Sequence, residues 1–247
     1  MPDLVDLRTF YHTPLGQAAR RLLRQKMLQF WPSLGGMSVM ALGYATVLMR
    51  PYVGQGAHVM GFMPAMQGVS AWPREGPNRS CLVEPFNLPL PDNSVDRVVL
   101  LHMLESSENI AASLREVWRV MKSGGRMIAI VPNRRGIWAM SDATPFGAGQ
   151  PFSPSQFKDI LRDNNFLPER AARALYLPPW HGALWLKLAD TAEKWGGAMF
   201  PTLGGVLLIE ASKQLYAPVG PARARQRKAL VMPSPFLPAP GGPLASR

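Results

Sequence analysis

Cysteine is almost missing from these 247 residues: Cys81 stands alone. No intrachain disulfide, cysteine zinc site or CxxC redox pair is therefore available. The four histidines, His12, His58, His102 and His181, are scattered with no HExxH spacing, so no metal site is expected. Long apolar runs are missing too. The longest mostly apolar stretch, Met37–Met49, ends at Arg50-Pro51 and is too short to cross a bilayer, so no transmembrane segment is expected. The first ten residues, MPDLVDLRTF, hold two acids and no apolar h-region, so no signal peptide is expected and a cytoplasmic protein is. Acids are few as well: 16 Asp and Glu against 27 Lys and Arg give a formal charge of +11.

What is abundant is proline, 25 residues, and apolar sequence, 47% of the chain, enough for a sizeable core. The charge is unevenly spread. Residues 217–247 carry five basic residues, no acid and seven prolines, and have no periodicity. This segment reads as a disordered basic tail, first of all a solvated, solubilising extension, whose Arg223, Arg225, Arg227 and Lys228 offer a contact to RNA, an acidic protein or membrane phosphate as the weaker reading. At the other end, Thr13-Pro14 reads as a cap and first-turn proline. Ala19, Leu22, Leu23, Met27 and Phe30 then recur at helical spacing, with Arg20, Arg21 and Arg24 on the opposite side. Residues 1–36 are thus expected to form a basic amphipathic helix that serves as a lid or docking helix, a membrane or nucleic-acid surface being the weaker reading.

Between these extensions, residues 37–216 alternate short apolar runs with helical stretches. Strands are expected at Ser38–Gly43, Ala57–Phe62, Ser80–Glu84, Val95–Leu104, Arg126–Val131, Arg173–Leu177 and Gly205–Ser212. Helices are expected from Ile110 to Met121, stopping at Gly124-Gly125, from Ser153-Pro154 to Asn165, and around Ala183–Trp195. Such alternation argues for a doubly wound α/β sheet, whose ligand crevice lies outside the carboxyl ends of the strands. No GxGxxG follows the first strand, which disfavours a nicotinamide dinucleotide oxidoreductase.

One stretch is more specific. LPLPDNSVDRVVLLHMLE (Leu88–Glu105), followed by LREVWRVMKSGGRMIAIVPN (Leu114–Asn133), resembles class I S-adenosylmethionine-dependent methyltransferases of the type 11 group. That resemblance implies a Rossmann-like fold: a mostly parallel seven-stranded sheet, helices on both faces and a final antiparallel strand. It implies S-adenosylmethionine as cofactor, held by Gly43, Tyr44, Ala45, Thr46, Met63, Pro64, Glu84, Pro85, Leu101 and His102. Glu84 matches the acid that contacts adenine in the family. Ala41 stands where the first strand usually carries an acid, Ala45 and Val47 replace loop glycines, and Met63 replaces the ribose-binding acid. A methionine cannot accept the ribose hydrogen bonds, a loss of about 1–3 kcal/mol.

Methyl transfer asks mainly for in-line positioning and at most one base. His102 is the candidate catalytic residue. Asn133, Arg134, Arg135 and Trp138, after the fifth strand, are the candidate acceptor-binding residues, and paired arginines beside an indole suit an anion. The segment Ser141–Phe152 is expected to close over the pocket. The expected function is methyl transfer to an unidentified acceptor. The alternative is a catalytically weak or inactive methyltransferase-like module that binds RNA or a protein through its basic extensions.

Overall fold

Buried apolar runs bounded by turns build the strands, and the computed structural model describes residues 2–179, 189–200 and 202–215. Seven strands, β1 (Ser38–Gly43), β2 (His58–Pro64), β3 (Ser80–Val83), β4 (Val95–Leu101), β5 (Met121–Pro132), β6 (Phe166–Ala174) and β7 (Val206–Lys213), form one sheet. Its order is β3-β2-β1-β4-β5-β7-β6. The strands from β3 to β5 are parallel, and β7 runs antiparallel to both β5 and β6. This is the mostly parallel, doubly wound sheet that the resemblance implies.

Side chains alternate between the two faces. Val39, Ala41, Val99, Leu101, Ile128, Ile130, Val206 and Leu208 enter one core, and Met40, Leu42, Val98, Leu100, Met127, Ala129 and Leu207 the other. Helices α1 (Leu4–His12) and α2 (Pro14–Phe30) cover the first face with Leu7, Leu15, Leu22, Leu23 and Met27. The β1–β2 connection on this side is reduced to a 3₁₀ turn, Tyr44–Leu48, and a single turn α3 (Arg50–Val53), and the β2–β3 connection has no helix. The second face is covered by α4 (Ile110–Val120) and α5 (Pro154–Asp163) through Leu114, Val117, Phe157 and Leu161. A further helix, α6 (Ala189–Met199), precedes β7.

Four boundaries differ from expectation. α1 was not anticipated. β4 stops at Leu101 rather than Leu104 because His102 takes φ +54°. α4 ends at Val120, and the chain from Met121 through Gly124-Gly125 already belongs to β5, with Met121 paired to Val95. β6 runs over Phe166–Ala174 rather than Arg173–Leu177; it tolerates Pro168 because it is an edge strand and its register breaks between Pro168 and Arg170. The expected start of the Ala183 helix and the whole 217–247 tail lie outside the described residues.

The carboxyl-terminal end of α2 is anchored to the β6–β7 hairpin through Glu210, which is fully buried. Trp31 Nε1 donates to Glu210 Oε1 at 2.7 Å, the Arg170 guanidinium binds Oε2, and Arg126 lies 3.4 Å from Oε1. Burial pushes the Glu210 pKa up, but the bonds from Arg170 and Trp31 outweigh it and hold the carboxyl below its ordinary value. A depressed carboxylate pKa adds stability above the unfolded-state value, and that stability is lost as pH falls through the folded value. Glu210→Gln should therefore lower the unfolding free energy by roughly 1–3 kcal/mol at neutral pH, measured by urea denaturation. The gap to the parent should narrow as the pH is taken down through the carboxylate range.

Candidate functional site

The carboxyl ends of β2, β1 and β4 lie side by side, so the residues that follow them converge. Gly43 closes β1 at φ +77°, a conformation that favours glycine, and a Cβ there would run into the Leu101 carbonyl of β4. The chain then winds into the 3₁₀ turn, which buries Tyr44, Ala45 and Thr46. Met63 and Pro64 end β2 in the interior, and His102 follows β4 with only 1% of its surface exposed.

What covers these ends is α1. Asp3 caps it by accepting from Asp6 N, and Thr13 starts α2 by accepting from Gly16 N at 3.0 Å. Gly16 has no Cβ to strike the Phe10 carbonyl, so the two helices meet at a tight corner and α1 folds over the strand ends. Leu4 N donates to the Gln67 carbonyl at 2.7 Å, and Gln67 Nε2 donates to the His102 carbonyl at 2.9 Å. The Tyr11 hydroxyl lies 2.9 Å from His102 Nε2, and His102 Nδ1 lies 3.2 Å from Glu105 Oε1. Tyr11, His102 and Glu105 thus form one buried hydrogen-bonded chain, in which the direction of each bond to the imidazole follows its tautomer. Burial, with Tyr44 and Glu105 nearby, raises the Tyr11 pKa well above its ordinary value, so its hydroxyl remains a donor.

Aromatic rings complete the seal. Tyr44 stacks on Tyr11 at 5.6 Å, and Phe146 lies 4.6 Å from the His102 ring and 5.6 Å from Trp138. Phe146 belongs to the 141–152 segment, which is docked over the site: Gln150 N donates to the Glu105 carbonyl at 2.8 Å. Inside the seal, Gln67 Oε1 and Glu105 Oε2 are buried without a hydrogen-bond partner among the described residues.

The candidate cofactor residues thus divide. Positions 43–46, 63–64 and 101–102 come together and are buried, whereas Glu84 is exposed at the end of β3 and Pro85 beside it is half-buried. The candidate acceptor residues divide as well. Asn133 is buried and donates to the carbonyls of Thr202 and Gly204, and Trp138 is buried and donates to the Leu177 carbonyl. Arg134 reaches only the Pro151 carbonyl, and Arg135 is exposed. No metal-binding cluster occurs among the described residues, and no helix among them is long and apolar enough to cross a membrane.

The open space adjoins this seal, on the α2 side of the turn after β1, with Tyr11 and Tyr44 in its lining. A cavity of about 690 Å³ is bounded by α1, α2, that turn and the 70–75 segment. Of the candidate residues, only Tyr44 and Thr46 line it. Arg8, Arg20, Arg24, Arg50 and Arg74 also do, against a single acid, Glu75, which is paired with Arg50 at 3.2 Å. Sequence reasoning placed Arg20 and Arg24 on a face opposite the apolar stripe; both are half-buried and turn into this cavity. Their spacing of one helical turn did not reveal it, because Arg50 is distant in sequence and the 70–75 wall comes from a loop without periodicity.

S-adenosylmethionine would meet a covered crevice in this arrangement. The strand-end crevice is filled by Tyr11, Tyr44 and Gln67, the ribose position offers the buried thioether of Met63, and the neighbouring cavity presents cations to a sulfonium.

Residues 41–129 match the family model described as a methyltransferase domain. Among solved structures, a Thermotoga maritima methyltransferase, described as a possible histamine N-methyltransferase, aligns with TM-score 0.55 at 17% identity over 79% of this chain and 91% of that one. An S-adenosylmethionine-dependent methyltransferase from Mesorhizobium loti aligns at 0.56 and 15% over 76% and 96%. The [4+2]-cyclase SpnF aligns at 0.55 and 19% over 81% and 82%. No curated protein matches the chain.

The seal is testable without a ligand. Tyr11→Phe leaves His102 Nε2 buried and unpaired, and should cost about 1–2 kcal/mol. It should also speed hydrogen exchange of the amides of α1 relative to those of β4. Equal exchange in parent and variant would mean that the hydroxyl does not hold the helix down.

Proposed function

We propose that this chain, a class I methyltransferase of the type 11 group by its core segment and fold, acts as a ligand-binding member of that group, with the donor crevice occupied by its own helix α1. The observation that carries this reading is the sealed chain from Tyr11 through His102 to Glu105. Uncovering the crevice would expose Phe10 and Tyr11 and break the Tyr11 bond. Two large side chains returned to water cost about 3–6 kcal/mol, which lowers the affinity of an entering donor by roughly two to four decades. The missing ribose acceptor lowers it further. The fold itself does not decide the chemistry, since the solved structures that share it include a cyclase.

A second reading keeps the transferase: S-adenosylmethionine-dependent methylation of an anionic acceptor, with α1 lifting on donor binding. It is favoured by His102, a non-glycine residue held at φ +54° between a hydroxyl and a carboxylate, since such strain gathers at functional sites. Under it His102 is the acceptor-side base, and Arg134 and Arg135 lie on the exposed edge where the acceptor enters.

Calorimetry separates the two. The first reading expects no heat from S-adenosylmethionine or S-adenosylhomocysteine with the parent protein up to about 1 mM. Micromolar binding would sink it in favour of the transferase. Under the transferase reading, Tyr11→Phe should also tighten donor binding, because it lightens the cost of lifting α1.

A further inference from the structure

We propose that the cavity between α1, α2, the turn after β1 and the 70–75 segment is a binding site for a small phosphate-bearing molecule. It adjoins the strand-end crevice, with Tyr11 and Tyr44 between the two, and is open whichever occupant the crevice takes.

The charge is the first ground. Arg8, Arg20, Arg24, Arg50 and Arg74 come from four separate parts of the chain and face one space. Surface arginines ordinarily find carboxylates or disperse into solvent. Here Glu75 serves Arg50, and no carboxylate among the described residues pairs with Arg8, Arg20, Arg24 or Arg74. Arg74 Nη2 instead lies 3.3 Å from His12 Nε2, an imidazole rather than a carboxylate. Like charges gathered without counter-charge raise the energy of the folded chain, and an anion is what lowers it.

Arg24 supplies the second ground. Its Nη2 is bound to the Val47 carbonyl, which fixes the guanidinium at the cavity wall, while its Nε is buried with no partner. Burial and the nearby Arg20 and Arg50 lower its pKa to about 10, the mark of a cation held among cations. A planar guanidinium with an unused N–H is suited to bidentate capture of phosphate oxygens.

The third ground is preorganisation. The segment carrying Trp72 and Arg74 is tied down by its own bonds: Asn78 Oδ1 accepts from Trp72 N at 3.1 Å, Arg79 N donates to the Trp72 carbonyl at 2.7 Å, and Ser80 Oγ donates to the Ser70 carbonyl at 2.6 Å. The opposite wall is α2, anchored at its far end through Trp31 and Glu210. A volume of about 690 Å³, with Tyr44 and Trp72 among the lining side chains, suits a molecule of nucleotide size.

The test is titration calorimetry of the full-length protein at low salt with inorganic pyrophosphate and with ADP, using citrate as a non-phosphate anion of comparable charge. Pyrophosphate or ADP should bind with a dissociation constant of about 0.1 mM or tighter. Arg20→Gln and Arg74→Gln, neither of which holds a core contact, should each weaken it about tenfold or more. Arg115→Gln, exposed on α4 across the sheet, should leave it unchanged. Three results would overturn the proposal. One is no binding of either phosphate compound at about 10 mM. Another is equal losses in Arg20→Gln and Arg115→Gln, the sign of diffuse attraction. The third is citrate binding as tightly as pyrophosphate. Circular dichroism of each variant keeps a folding defect from being read as lost binding.

Discussion

A parallel sheet has two apolar faces, and both must be covered. In this protein the connections that ordinarily supply helices to one face supply almost none: β1 leads to β2 through a 3₁₀ turn and one helical turn, and β2 leads to β3 through a loop. The bare face is covered instead by α1 and α2, brought in from the start of the chain. Much else follows from that substitution. α2 must lie along the sheet, α1 must turn at Gly16 to follow it, and the turn places Tyr11 above the ends of β1 and β4. The crevice is closed by the same helix that completes the core.

The electrostatics follow from the same arrangement. A helix that buries one stripe in a core has a polar flank, and on α2 that flank carries Arg20 and Arg24 beside the shortened connection. Because no crossover helix fills the space next to it, the flank faces a cavity rather than bulk water. The body of the chain is only mildly basic, but Arg50 and Arg74 from it meet Arg8, Arg20 and Arg24 of the N-terminal helices around this space.

Legibility in the sequence tracked locality. The alternation of buried runs gave β1, β2 and β3 to within two residues, overran the end of β4 and missed the start of β5, and Thr13-Pro14 and Ser153-Pro154 marked helix starts that the caps bear out. α1 carried a readable signal, Asp3 followed by Leu4, Leu7, Phe10 and Tyr11, beside the stronger cap at Thr13-Pro14. β6 was displaced because Pro168 argues against a strand until its edge position is known. The candidate site was legible only as a set of strand ends. That Asn133 and Trp138 would turn inward to hold loops, and that Arg8, Arg50 and Arg74 would meet, depends on contacts between parts of the chain far apart in sequence, which no local pattern encodes.

The early position of α1 and α2 also bears on how the chain assembles during synthesis. Their apolar stripe emerges first, yet the surface it covers includes Val206 and Leu208 of β7, made almost two hundred residues later. Until that strand appears, Leu22, Leu23 and Met27 have no complete partner, and the nascent chain carries an exposed amphipathic helix. Closing the sheet with β7 between β5 and β6 is thus the event that gives the N-terminal helices their full seat, and a chain interrupted before Val206 would keep them without it.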